Sequence, residues 1–225
     1  MKDEVHIWRI DLAKPGNVEL LSADERDRAS RFRFAMHQNR YISGRAMLRT
    51  ILGRFAETAP ERLTFEYTQF GKPFLPDSKI RFNLSHSEDL ALLAVTFERE
   101  IGVDVERIRQ QKDVLDVAER FFAVPERDAL RSLPVSDRAA GFYRCWTRKE
   151  AYIKARGDGL SLDLNSFVVS LLPQEPAALL AASDGPEEVS RWRMFTLDLH
   201  PQYAAALAVE DRDGRVCLRQ EVLAA

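Results

Sequence analysis

The stretch IGVDVERI, residues 101–108, constrains the fold more than any other part of the chain. Ile101, Val103 and Val105 recur with a period of two, the spacing of a strand that buries one face. Gly102, Asp104 and Glu106 alternate with them, so a strand sets both carboxylates side by side on its other face. Like charges at that distance repel. Two readings of the pair are open. One is an edge strand with a solvated face. The other is a site for a hard divalent cation, which takes carboxylate oxygens and relieves the repulsion. Gly102 beside the pair leaves room for a ligand to approach the backbone.

The remaining patterns place this strand in an α+β fold. VHIWRIDL reads as a strand with Trp8, Ile10 and Leu12 on one face. SADERDRASRFRF opens on Ser22 with Glu25 three residues later, a capping box that predicts a helix. YISGRAMLRTILGRFA repeats Tyr41, Leu48, Ile51, Leu52 and Phe55 at helical spacing, and Arg45 and Arg49 share a different face. IRFNLSHSEDLALLAVTFE reads as two strands joined at SHSED. DVLDVAERFFAVPERDALRSLP is helical with an interruption near Pro125. SDRAAGFYRCWTRKEAYIKARGDG is the longest helical pattern, with Ser136 as N-cap and Gly157 as a left-handed end. FVVSLL, WRMFTLDL, YAAALAVE and RVCLRQEVL close the fold as strands, and LLPQEPAALLAASDGPEE reads as a loop.

A strand, two helices and then strands recur roughly in each half. The expected architecture is two α+β lobes in one chain, with antiparallel sheets packed on helices. The expected lobes are residues 1–102 and 103–225, with an active site in the cleft between them, where ligand sites are favoured. With 33 Lys and Arg against 35 Asp and Glu, the net charge of -2 argues against a general nucleic-acid binder. The Arg-rich segment RDRASRFRFAMHQNRYISGR is better read as a helix pair flanking a phosphate site. No signal peptide or membrane span is expected, and a cytoplasmic location follows. Cys145 and Cys217, both among apolar or aromatic neighbours, read as buried free thiols.

Three further stretches carry polar chemistry. In WTRKEAYIKARGDG, Trp146, Glu150 and Lys154 share one helix face. A surface Glu–Lys pair explains two of them. Alternatively, Glu150 supplies a third carboxylate or takes a proton, and Lys154 holds a phosphate as a point charge. FGKPFL puts Lys72 in a turn after Gly71, and FNLSHS ends a strand with Ser85 and His86. Lys72, Ser85, His86, Arg45 and Lys154 are the donors a polyphosphate ligand needs, and no Gly-rich phosphate loop is present.

GVDVE followed some forty residues later by WTRKEAYIKARGDGL, with FGKPFL and FNLSHS upstream in the same order, resembles the 4′-phosphopantetheinyl transferases. The resemblance runs from about residue 20 to about residue 170. The length resembles the larger Sfp-type class, a pseudo-dimer in one chain. It implies a magnesium-dependent enzyme, with manganese as a substitute, that moves 4′-phosphopantetheine from coenzyme A to a serine of an apo carrier protein. It implies Asp104, Glu106 and Glu150 as metal ligands, with Glu150 and Lys154 as the catalytic pair. Lys154, Ser85, His86 and the Gly71–Lys72–Pro73 turn stand where the family contacts coenzyme A. Arg45 resembles a 3′-phosphate contact, with Arg40 as its rival and Arg26 and Arg28 unassigned. The partner implied is an acidic helical domain. Phe121 and Phe122, with Arg120, Arg127 and Arg131, suit it, and the enzyme is expected to act as a monomer. A coenzyme A-binding module without catalysis and another magnesium-dependent phosphoryl or nucleotidyl transferase are the alternatives.

Overall fold

A computed structural model of the chain describes residues 3–110, 113–157 and 159–221. Two compact units emerge: the residues up to Glu98 together with those from Cys217 on, and Arg99–Val216. The boundary expected after residue 102 therefore falls inside a strand, and the last strand belongs with the first unit.

In that first unit, β1 (Glu4–Asp11) is followed by α1 (Ala23–Ser30) and the 22-residue α2 (Ala35–Ala56). The capping box forms, with the Ser22 amide donating to the Glu25 carboxylate at 3.0 Å. A short hairpin, β2 (Glu66–Tyr67) and β3 (Pro73–Phe74), precedes a long one, β4 (Ile80–Ser87) and β5 (Leu90–Phe97). The second unit opens on β6 (Ile101–Arg107). Three helices follow: α3 (Val114–Phe121), α4 (Val124–Ser132) and the 22-residue α5 (Val135–Arg156). The unit continues through β7 (Phe167–Val169), β8 (Leu179–Ala182), α6 (Pro186–Arg191), β9 (Trp192–Thr196) and β10 (Tyr203–Glu210). The chain then closes with β11 (Cys217–Glu221) in the first unit.

The two units share one plan. Each has a strand, a long helix and a hairpin whose second strand returns beside the first, giving the orders β1-β5-β4 and β6-β10-β9. These neighbours are antiparallel; β11 adds to β1 as a parallel strand. One core gathers Trp8, Ile10, Leu48, Ile51, Leu52 and Leu93; the other gathers Leu130, Phe142, Tyr152, Phe167 and Trp192.

The plan extends to a buried ion pair that sequence inspection does not reveal. Glu25, in the first turn of α1, accepts from Arg49 Nε at 2.7 Å. Arg49 Nη1 donates to the carbonyls of Pro60 and Leu63, each at 2.9 Å. Glu126, in the first turn of α4, caps the Ala123 amide at 2.9 Å and pairs with Lys149 Nζ at 2.8 Å. Lys149 donates to the carbonyls of Leu164 and Phe167 at 2.7 and 2.8 Å. In each unit a cap acid, the long helix and the following loop are tied by one cation, which satisfies the polar groups that burial would otherwise penalise.

Several expectations need correction. The N-cap of α5 is Pro134, not Ser136, because the helix already begins at Val135. Its C-terminal end is as expected, with Gly157 left-handed at φ 79°. The segment read as a loop contains β8 and the start of α6, so pairing of Phe167–Val169 with Leu179–Ala182 overrides its Pro- and Ala-rich composition. Cys145 is buried, and burial pushes its thiol well up, leaving an inert packed group; Cys217 is exposed, since it lies on the thinly covered β11. Among the described residues no helix is long and apolar enough to cross a membrane.

Candidate active site

Asp104 is only 3% exposed, so the solvated-face reading fails. Although β6 stands at the end of its sheet order, α5 lies on the face that carries Gly102 and Asp104. The space beside Gly102 is filled by the α5 backbone at Ala151 and Ala155, not left open to a ligand. The facing β10 residues are small: Ala208 pairs with Gly102, Ala206 with Asp104 and Ala204 with Glu106. Ile101, Val103 and Val105 on the opposite face are fully buried and fix the strand.

This close approach brings the helix acids and bases to the strand acids. Lys154 Nζ donates to Asp104 Oδ1 at 2.5 Å, and its side chain stays 29% exposed. Burial raises the Glu150 carboxyl above its usual range; the Lys154 ammonium opposes this, while Asp104 and Glu106 add to the rise. Trp146 on α5 stacks on Phe142 and meets Phe121 edge-on, so its role is to pack α3 against α5.

The three carboxylates fit a hard divalent cation by donor chemistry, all being oxygen ligands. The repulsion felt at Glu150 is what such a cation would relieve. Among the described residues, no three acids, imidazoles or thiols already converge at metal-holding distances. Lys154 uses one lone pair of Asp104 Oδ1, and an ionised carboxylate has others that a cation could take.

The first unit carries a cleft of about 670 Å³ between α2 and the β4–β5 hairpin. Arg28, Arg40, Arg45, Tyr41, Pro73 and His86 line it. Arg40 Nε is bonded to Asp89 Oδ1 at 2.8 Å, and the Arg28 guanidinium lies over Tyr41. Arg45 is also committed internally: its Nε donates to Glu25 Oε1 at 2.7 Å and its guanidinium lies 4.8 Å from the Phe65 ring centre. Burial alone would raise the Glu25 carboxyl; Arg49 and Arg45 outweigh it and hold the group low. Gly71 is left-handed at φ 81° in the β2–β3 turn, where the Lys72 amide donates to Thr68 Oγ1 at 3.2 Å. Ser85 is buried and lies outside the lining of that cleft, although Asn83 and Ser87, on the same face of β4, contribute to it.

The second unit has its own cleft, of about 530 Å³, lined by Ile108, Arg144, Thr147, Leu197, His200 and Tyr203 among others. Thr147 lies three residues before Glu150 on α5, but none of the three acids lines this cleft. Of the two phenylalanines expected at a docking surface, Phe122 is core, 2% exposed and stacked on Phe142. Phe121 is 43% exposed, beside exposed Val124 and Arg120. Arg127 and Arg131 both bind Glu119, which neutralises part of the expected positive charge.

A family model described as the 4′-phosphopantetheinyl transferase superfamily matches residues 100–208. One described as 4′-phosphopantetheinyl transferase, N-terminal, matches residues 15–98. The 4′-phosphopantetheinyl transferase HetI of Nostoc sp. is 42% identical over 93% of this chain and 89% of its own length. The 4′-phosphopantetheinyl transferase Sfp of Bacillus subtilis is 28% identical over 87% of this chain and 85% of its own. The holo-[acyl-carrier-protein] synthase structure from Thermotoga maritima aligns with a TM-score of 0.39 at 20% identity, over 50% of this chain and 63% of that one. The chain belongs to the 4′-phosphopantetheinyl transferase superfamily.

Proposed function

We propose that the chain transfers 4′-phosphopantetheine from coenzyme A to a serine hydroxyl of an apo carrier protein and releases adenosine 3′,5′-bisphosphate. The observation that carries this reading is the seating of α5 on β6, which puts Glu150 and Lys154 beside buried Asp104. Asp104, Glu106 and Glu150 would hold magnesium, or manganese in its place, which when bound would supply charge neutralisation for the phosphates. Glu150 takes the proton of the acceptor serine as the serine oxygen bonds to phosphorus. The bond from phosphorus to the bisphosphate oxygen breaks, and the Lys154 ammonium neutralises that departing oxygen. The first-unit cleft holds the nucleotide end, with Arg28, Arg40 and His86 toward the 3′-phosphate and the Gly71–Lys72–Pro73 turn toward the base. Arg45 lines the same cleft with its guanidinium held by Glu25, and Ser85 supports β4 beside it. The carrier docks on Phe121, Val124 and Arg120.

The test is mass spectrometry of apo carrier proteins incubated with the enzyme, coenzyme A and magnesium. One phosphopantetheine is gained, and the gain is lost with a chelator or Asp104→Ala. In the same assay Phe121→Ser raises the KM for the carrier and leaves that for coenzyme A unchanged. Coenzyme A bound without carrier modification would favour a binding module; coenzyme A hydrolysed without it would favour another phosphoryl transfer. Arg40→Ala removes one charged hydrogen bond, about 1.5–3 kcal/mol. The KM for coenzyme A accordingly rises about 10- to 150-fold, whereas that for 3′-dephospho-coenzyme A stays put. Equal effects on both would remove Arg40 from the 3′-phosphate.

A further inference from the structure

Gly102 is not required by its own backbone, because it is absent from the glycines with positive φ. It is required by its neighbour. A Cβ at this position would lie 2.1 Å from the Ala151 carbonyl oxygen, 2.3 Å from the Ala155 amide nitrogen and 2.8 Å from the Lys154 carbonyl carbon. All three are backbone atoms of α5, so no change of rotamer makes room. Ordinary contact begins at about 3.4 Å, so even a methyl group pushes α5 off β6 by more than an ångström. Ala206 and Ala208, both fully buried on the same sheet face, continue the seat.

We infer that Gly102 is a positioning residue: it sets how closely α5 approaches β6, and so where Glu150 and Lys154 stand against Asp104. Its location two residues from Asp104 on the same strand face makes any displacement act directly on the 2.5 Å Lys154–Asp104 bond. This inference rests on the reading of Asp104, Glu106 and Glu150 as metal-binding acids. A misplacement of about an ångström costs on the order of a hundredfold in a reaction that depends on positioning.

The experiment measures Mn2+ binding by electron paramagnetic resonance, together with kcat and the KM for coenzyme A. Gly102→Ala lowers Mn2+ affinity at least about tenfold and kcat about a hundredfold, with KM changed by less than about threefold. Ala206→Val, which crowds the same seat from β10, moves Mn2+ affinity and kcat in the same direction and covers the case in which Gly102→Ala fails to fold. Val209→Ala serves as the comparator, because it cuts the buried opposite face of the same sheet without touching α5. Mn2+ affinity and kcat equal to the comparator's in both crowding variants would overturn the inference, provided Asp104→Ala abolishes Mn2+ binding. Unchanged Mn2+ binding in Asp104→Ala overturns instead the reading of the acids.

Discussion

Replacing Glu150 by Gln lowers the turnover of phosphopantetheine transfer about 10²- to 10⁴-fold, the range a positioned general base supplies. Gln keeps the shape of the side chain on α5 and the packing around it. What it removes is the negative charge and the ability to take the serine proton. The Glu150 carboxyl lies where burial opposes its charge, Lys154 supports it, and Asp104 and Glu106 repel it. A neutral amide therefore relieves repulsion within the protein, and fold stability holds or rises. Coenzyme A binding, read by calorimetry without a carrier, changes little, because the cleft assigned to the nucleotide end is built from other residues. The expected pattern is thus a loss in kcat with stability retained. Turnover within tenfold of wild type would remove Glu150 from the proton transfer. Lys154→Ala should lose turnover comparably, since it takes the ammonium from both Asp104 and the leaving oxygen.

The second large effect is on stability. Lys149→Met strips the cation from Glu126, which is 1% exposed, and such a loss costs about 3–5 kcal/mol. Burial is the main influence on both members: it raises the Glu126 carboxyl and lowers the Lys149 ammonium. The ion pair is therefore not a net source of stability but a way of specifying how α4, α5 and the loop at Leu164–Phe167 meet. Replacing both partners, as Glu126→Gln with Lys149→Met, recovers much of the loss, because no buried charge is left unpaired. Urea unfolding of the two variants checks this. A single variant that loses less than about 1 kcal/mol would contradict a desolvated pair.

How far the sequence could be read depended on whether the needed information was local. The alternation of Ile101, Val103 and Val105 defines β6, and the helical spacing of Trp146, Glu150 and Lys154 defines α5, so the acids and the lysine are legible in the sequence. Gly102 was visible as a glycine, but its neighbour was not, since the backbone of α5 arrives some fifty residues later. Glu25 read as a cap, which it is; its partners Arg45 and Arg49 lie 20 and 24 residues away. Without that link Arg45 looked available to a phosphate. Phe121 and Phe122 are adjacent, and only the end of α3 decides that one stays at the surface and the other enters the core. Lys149 and Arg148 gave no signal of burial at all, because long cations are seldom enclosed. Here the carbonyls of Leu164, Phe167 and Ser170 receive them.

The parallel addition of β11 to β1 has a consequence for how the protein is made. Arg99–Val216 is one uninterrupted run, synthesised before Cys217–Glu221. The unit that contains β1 cannot finish its sheet until Cys217 through Glu221 pair with Glu4 through Trp8. The part synthesised first is therefore the part completed last. During that interval the outer edge of β1, with Val5 and Ile7, is an open template for any other extended chain. The last strand is a closing seam, and its arrival ends the period in which the nascent protein is most exposed to mispairing.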